Sequence, residues 1–248
     1  MADIREVGVE RQRHVVAIGG GSFTGEPRVG MRISPLVRYA LDLTGAERPK
    51  VCFVTTAVGD TPQFTAMLYG AFTAAGTVPS SLALFQMPSV PDIRAHLLDQ
   101  DLVYVTGGNT ANLLALWRLH AVDDALRAAW EAGVVLTGQS AGSLCWHTGG
   151  TTDSFGPDLV GLPDGLGLLP YSHCPHYDGE EQRRPLYHRL VGEGALDPGY
   201  AVDEGAALHY EGVKPARSVA VHDGATSYFV APDGSGGVVE EAMEAQRL

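Results

Sequence analysis

The chain has 248 residues, 45% hydrophobic and 19% charged, with a formal net charge of −12. That balance suits a folded protein with a sizeable core and repels polyanions, so nucleic acid is not an expected partner. Cys52, Cys145 and Cys174 are too few, and odd in number, for a disulfide framework. The opening MADIREVGVERQRH has no apolar stretch of the secretory kind. No apolar run approaches the ~18 residues that a membrane span needs, so the expected location is cytoplasmic.

The first 140 residues alternate between strand and helix signals. His14–Ile18 is an apolar run that stops at Gly19, Gly20 and Gly21. Ile33–Thr44 has helical spacing, with Gly45 where a helix C-cap belongs. Val51–Thr55 reads as a strand, Pro62–Ala75 as a helix, Ser81–Phe85 as a strand and Pro91–Leu98 as a short helix. Leu102–Thr106 is a strand bounded by Gly107 and Gly108. Thr110–Leu119 and Asp123–Ala132 are helical, and Val134–Thr137 is a strand that runs into Gly138 and Ser140. Strands that are apolar throughout are buried on both faces, as in a parallel sheet covered by helices. The predicted fold is α/β: a doubly wound, mostly parallel sheet with helices on both faces. After Thr148 glycine, proline and short strands dominate, with one helix near Glu180–Val191. Gly199–Val202, Ala206–Tyr210, Ser218–His222 and Ser227–Ala231 are expected to form a second, partly antiparallel portion. No linker or repeat interrupts the chain, so one domain over residues 1–248 is expected.

Gly138-Gln139-Ser140-Ala141-Gly142 follows a buried strand and precedes an apolar segment. The pattern G-x-S-x-G is weak alone, and the bland alternative is a βα turn with an N-cap serine. In a strand-to-helix context the glycines let the backbone bend sharply and hold the Ser140 Oγ out at the carboxyl end of the sheet. A second glycine turn, Gly107-Gly108-Asn109-Thr110, ends a neighbouring strand, and open α/β sheets place their sites along that edge. The N–H groups of Gly108 and Ala141 could serve one oxyanion. Asn109 and Thr110 would cap the next helix or touch substrate. Gly19-Gly20-Gly21-Ser22 lacks dinucleotide-site spacing, because position 24 is Thr, and reads as another tight turn on the same edge.

The strand followed by Gly107-Gly108-Asn109-Thr110, together with G-Q-S-A-G-S around Ser140, resembles peptidase family S51 over roughly residues 100–190. That family includes α-aspartyl dipeptidase (peptidase E) and cyanophycinase, on a fold related to class I glutamine amidotransferases. The resemblance implies a serine peptidase, without cofactor or metal, acting on short peptides, with Asp-Xaa dipeptides a possible substrate class. It implies a catalytic histidine in a Pro-His-aromatic context, which falls on His176 in Ser172-His173-Cys174-Pro175-His176-Tyr177. His173 is the nearest rival; three residues apart in a strand, the two face opposite sides. Thr151-Thr152-Asp153-Ser154 resembles the segment that carries the acid in peptidase E, which points to Asp153, with Asp158 and Asp164 as fallbacks. Gly179-Glu180-Glu181-Gln182-Arg183-Arg184 resembles the Glu-Gln-Arg segment downstream of the histidine. Arg183 or Arg184 would then receive a substrate carboxylate through guanidinium geometry.

The expected partner is a small peptide; nucleic acid and membrane are not expected, and the chain would act as a monomer or homodimer. Two other readings stay open on the sequence. One is an esterase of α/β-hydrolase type, whose base would be His209 or His222. The other is a non-catalytic small-molecule binder on an amidotransferase-like fold. A glutamine amidotransferase proper would need a cysteine where Ser140 stands.

Overall fold

The apolar runs that stop at glycine pairs become adjacent parallel strands, and their carboxyl ends meet at one rim. A computed structural model describes residues 12–26 and 30–248; residues 1–11, expected to carry no secretory signal, lie outside the described residues. In chain order the first half comprises β1 (His14–Ile18), β2 (Phe23–Glu26), β3 (Gly30–Ile33), α1 (Pro35–Asp42), β4 (Lys50–Val54), α2 (Pro62–Ala74), β5 (Val78–Leu82), α3 (Ile93–Leu98), β6 (Leu102–Val105), α4 (Thr110–Leu119), α5 (Val122–Glu131) and β7 (Val135–Gln139). The second half comprises α6 (Ala141–Leu144), β8 (Gly149–Thr152), β9 (Val160–Leu162), β10 (Ser172–Cys174), α7 (Arg183–Gly192), β11 (Gly199–Val202), β12 (Ala206–Glu211), β13 (Lys214–Ala220), β14 (Ser227–Pro232), β15 (Val238–Ala242) and β16 (Ala245–Arg247).

The larger sheet has the order β16-β13-β12-β1-β7-β6-β4-β5. Its five strands β1, β7, β6, β4 and β5 are parallel neighbours, with Ile18 opposite Gln139 and Val105 opposite Gly138. Val15–Ile18, Val51–Val54 and Leu102–Val105 are completely buried, each large side chain contributing about 1.5–3 kcal/mol. Their alternate residues serve two cores. Val15, Ala17, Cys52, Val103 and Val105 pack with Leu97 of α3, Trp117 of α4 and Leu126 of α5. Val16, Ile18, Phe53 and Tyr104 pack with Leu36 of α1 and Phe72 of α2. Helices on both faces of a mostly parallel sheet are the predicted α/β architecture.

The structure changes the expected boundaries in three places. Ile33 pairs with Phe23 in a β2–β3 hairpin, so α1 starts at Pro35, whose fixed φ suits a first helical position. The strand expected at Ser81–Phe85 is β5 at Val78–Leu82, because the Asp60 carboxylate takes the N–H groups of Leu84 and Phe85 and turns the chain. The third concerns the C-terminal strands, which do not form one portion. β12 and β13 extend the larger sheet beside β1 in antiparallel fashion. β11 and β14 enter a second, mixed sheet of order β15-β14-β11-β10-β8-β9.

Candidate active site

Ser140 sits where β7 turns into α6, and its backbone is strained, at φ 54° and ψ −116°. Such a conformation costs a non-glycine residue about 1–3 kcal/mol and persists only where the surroundings impose it. Here they do. A Cβ on Gly138 would lie 2.4 Å from the Val105 carbonyl oxygen, and one on Gly142 only 2.1 Å from it. The turn therefore packs directly against β6. The Ser140 carbonyl accepts from the N–H groups of Ser143 (2.9 Å) and Leu144 (2.8 Å) and from the Ser143 hydroxyl (2.8 Å). The Ser140 N–H donates to the Ile18 carbonyl of β1 (3.3 Å). The Ser140 side chain makes no capping bond to α6, so the hydroxyl is not spent as an N-cap.

The second glycine turn lies against the first. A Cβ on Gly107 would come within 3.2 Å of the Ser140 Cβ. Gly108 has φ 133°, and a Cβ there would meet the Ala57 carbonyl oxygen at 2.3 Å, so this position needs glycine. Asn109 caps α4: its Oδ1 accepts from the Asn112 N–H (2.8 Å), and its Nδ2 donates to the Ser154 carbonyl (2.9 Å). Thr110 is buried, and its N–H donates to the Ser154 Oγ (2.9 Å). The Thr-Thr-Asp-Ser segment thus folds onto the glycine turn through Ser154, and Asn109 and Thr110 serve the cap.

His176 follows β10 and has φ 53°. Among the described residues five non-glycines have positive φ, and Ser140 and His176 are two of them. The His176 Nδ1 is hydrogen-bonded to the Glu204 carboxylate. With Nδ1–H donating there, Nε2 carries the lone pair. Glu204 lies in the β11–β12 turn, and its N–H donates to the Asp178 carboxylate (2.7 Å). The hydrogen bond from His176, the chief cause, holds the Glu204 carboxyl below its ordinary range despite partial burial. A Cβ on Gly20 would fall 2.0 Å from a Glu204 carboxylate oxygen, and one on Gly179 2.8 Å from its Cγ. The first glycine run therefore makes room for an acid. It is also tied to the nucleophile turn, since the Ser22 N–H donates to the Gln139 side chain (2.8 Å). Glu204 stands beside Gly20, two residues beyond the strand end that receives the Ser140 N–H.

These contacts pair His176 with a carboxylate other than the expected Asp153. Asp153 is exposed in the loop after β8 and flanks a cleft with Glu180 and Glu181; the partner of His176 is Glu204. Asp158 is exposed, and Asp164 pairs with Arg118 (2.9 Å). The rival His173 is fully buried, its Nε2 on the Ser143 Oγ (2.9 Å), its ring stacked on His147 at 4.2 Å. His209 sits between Tyr39 (2.8 Å) and His14 (2.9 Å), its β-partner being Val16 well before the end of β1.

The two arginines are also engaged. Arg183 is buried, donating to the Glu180 carboxylate (2.9 Å and 3.2 Å) and to the Thr151 carbonyl (3.1 Å). Arg184 pairs with Glu240 and lies over the rings of Tyr177 and Tyr228. Neither presents the free fork expected for a substrate carboxylate. Pro185 falls in the first turn of α7, where no intrahelical donor is lost.

Glu204 lies outside the Ser140–His176 interval in which Asp153, Asp158 and Asp164 are the sequence candidates. The signal was present: Tyr200-Ala201-Val202 is a buried strand that ends at Asp203-Glu204-Gly205, the same strand-then-glycine pattern as the other two turns. Among the described residues no group of three or more His, Cys, Asp or Glu is arranged to hold a metal, and no helix is long and apolar enough to cross a membrane.

Comparison with known proteins gives the same placement. The model of "Peptidase family S51" matches residues 15–217. The uncharacterized peptidase YgaJ of Bacillus subtilis strain 168 is 44% identical over 218 residues, covering 88% of this chain and 92% of that protein. Peptidase E of Shewanella denitrificans is 31% identical over 147 residues, or 55% of this chain and 62% of that protein. The crystal structure of a peptidase from an acI-B1 Actinobacterium superposes with a TM-score of 0.67 at 15% identity, covering 95% of this chain and 96% of that one; this likeness speaks to the fold. The family model spans residues 15–217, and YgaJ is 44% identical across most of both proteins: the chain belongs to peptidase family S51.

Proposed function

We propose that the chain hydrolyses short peptides through an acyl-enzyme formed on Ser140, with His176 as general base and Glu204 as its orienting acid. The observation that carries this reading is the His176–Glu204 pair on the rim where a strained serine does not spend its hydroxyl on the α6 cap. Ser140 Oγ bonds to the scissile carbonyl carbon while its proton passes to His176 Nε2. Glu204 fixes the tautomer and stabilises the imidazolium. The oxyanion is received by the N–H of Ala141, at the first position of α6 where no intrahelical acceptor exists, and by the N–H of Gly108 in the adjoining turn. The C–N bond then breaks, and His176 returns the proton to the leaving amine. Water, deprotonated by His176, adds to the acyl carbon and releases the acid and Ser140.

Similarity to peptidase E makes dipeptides, and Asp-Xaa among them, the first substrates to try. Three free, buried cysteines suit a reducing compartment, so we place the enzyme in the cytoplasm. The test pairs a dipeptide panel with labelling by a fluorophosphonate, for wild type and Ser140→Ala. Wild type should label and cleave, and Ser140→Ala should lose about 10⁴-fold or more in kcat with no label. Cleavage undiminished in Ser140→Ala would overturn the scheme.

A further inference from the structure

His176 holds its left-handed backbone next to a residue that is itself tightly tethered. Tyr177 is buried, and its N–H donates to the Val202 carbonyl (3.2 Å). Its hydroxyl donates to the Glu240 carboxylate and lies 2.7 Å from the His188 Nε2. Glu240 stands on β15, opposite Val230 of β14, in the part of the chain beyond residue 217 where the family match ends. Its carboxylate also meets His188 of α7 (2.8 Å) and Arg184, whose guanidinium lies over the adjoining rings of Tyr177 (5.1 Å to the ring centre) and Tyr228 (5.4 Å). Burial works to raise the Glu240 carboxyl, but the bonds from Tyr177, His188 and Arg184 outweigh it and hold it below its ordinary range. The same burial and the facing carboxylate push the Tyr177 phenol upward, so it stays a donor.

We propose that Glu240 is a positioning residue for the reaction: by fixing Tyr177 it keeps the adjoining His176 in the conformation that pairs Nδ1 with Glu204 and turns Nε2 to Ser140. The proposal rests on His176 being the base. Glu240 acts through Tyr177, which shares a peptide bond with the base. A strained residue needs such external support, and a small misplacement of a catalytic group costs about 10²-fold in rate.

The test measures kcat, KM and the fluorophosphonate labelling rate of Ser140 for wild type, Glu240→Ala, Tyr177→Phe and the double variant, with thermal melting of each. Tyr177→Phe removes only the hydroxyl that Glu240 holds, so it decides the outcome if Glu240→Ala does not fold. Each single variant should lose about 10- to 100-fold in kcat and in labelling rate, with KM little changed. The double variant should fall no further than the worse single one. Folded single variants that label and turn over as wild type, or losses that multiply in the double variant, would overturn the proposal. A wild type that does not label would instead overturn the serine-hydrolase reading on which it rests.

Discussion

The turns that carry Ser140 and His176 share one backbone anomaly, positive φ on a non-glycine residue, and they hold it in opposite ways. The nucleophile turn is held by main chain. Gly138 and Gly142 let it lie against the Val105 carbonyl, and three donors converge on the Ser140 carbonyl. The base turn has one main-chain tether, from the Tyr177 N–H to the Val202 carbonyl, and is otherwise held by side chains: Glu204 on the ring and Glu240 on the neighbouring phenol come from distant segments, and the turn's own Asp178 takes the Glu204 N–H. Main-chain support needs particular small residues at fixed spacing, whereas side-chain support needs only that the fold bring a carboxylate within reach. The first should tolerate almost no local substitution. The second should lose function in a graded manner.

The largest break in this comparison is expected on the base side. Glu204→Gln keeps the shape but lets the imidazole take the wrong tautomer, and kcat should fall by about 10⁴-fold, as for an orienting acid elsewhere. Asp153→Asn should leave kcat close to wild type. Steady-state kinetics on a cleaved dipeptide decides, and the reverse ranking would restore Asp153 as the acid.

On the nucleophile side the expected effect is on stability. Gly142→Ala would place a methyl 2.1 Å from the Val105 oxygen. Such overpacking costs about 1–3 kcal/mol, read as a lower denaturation midpoint in urea, with Ser140 labelling lost in the protein that still folds. An unchanged midpoint would mean that the elbow does not depend on that close approach.

A smaller, pH-dependent effect belongs to the packing behind the nucleophile. Ser143, whose hydroxyl supports the Ser140 carbonyl, meets the His173 Nε2, and the His147 Nδ1 donates to the Ser143 carbonyl (2.9 Å). Burial, the chief cause, lowers both histidines, His147 to about 3 from 6.5. The unfolded chain takes up these protons below about pH 6.5; in the folded chain His147 does not until near pH 3, and His173 is held well below its ordinary value. Stability should therefore fall as pH drops through that window, by at most about 1.4 kcal/mol per pH unit for each histidine. Urea titrations at pH 7 and pH 5 measure the slope. His147→Gln should flatten it, and an equal slope in the variant would remove His147 from the account.

The same contrast explains what could be read in advance. The two turns announce themselves because backbone contact excludes a side chain at Gly108, Gly138 and Gly142, and the apolar strands before them show that they end at one rim. Asp153 was chosen by its place in a motif; the structure spends that segment on Ser154, which caps α4. Arg183 and Arg184 matched a pattern as well, yet Glu180 and Glu240 already occupy them. Glu204 follows the histidine by 28 residues, and no local motif links the two.

The sequence by itself determined the parallel sheet, its rim and the tight glycine turn at Ser140, since these depend on local rules of burial, period and glycine conformation. Only the tertiary structure decided which carboxylate meets His176, the partners of both arginines and the membership of β12 and β13 in the larger sheet. Carboxylates are common along the chain and carry no local signature. Which one meets His176 depends on how β11 and β1 come together, with Gly20 leaving the space that the Glu204 side chain fills.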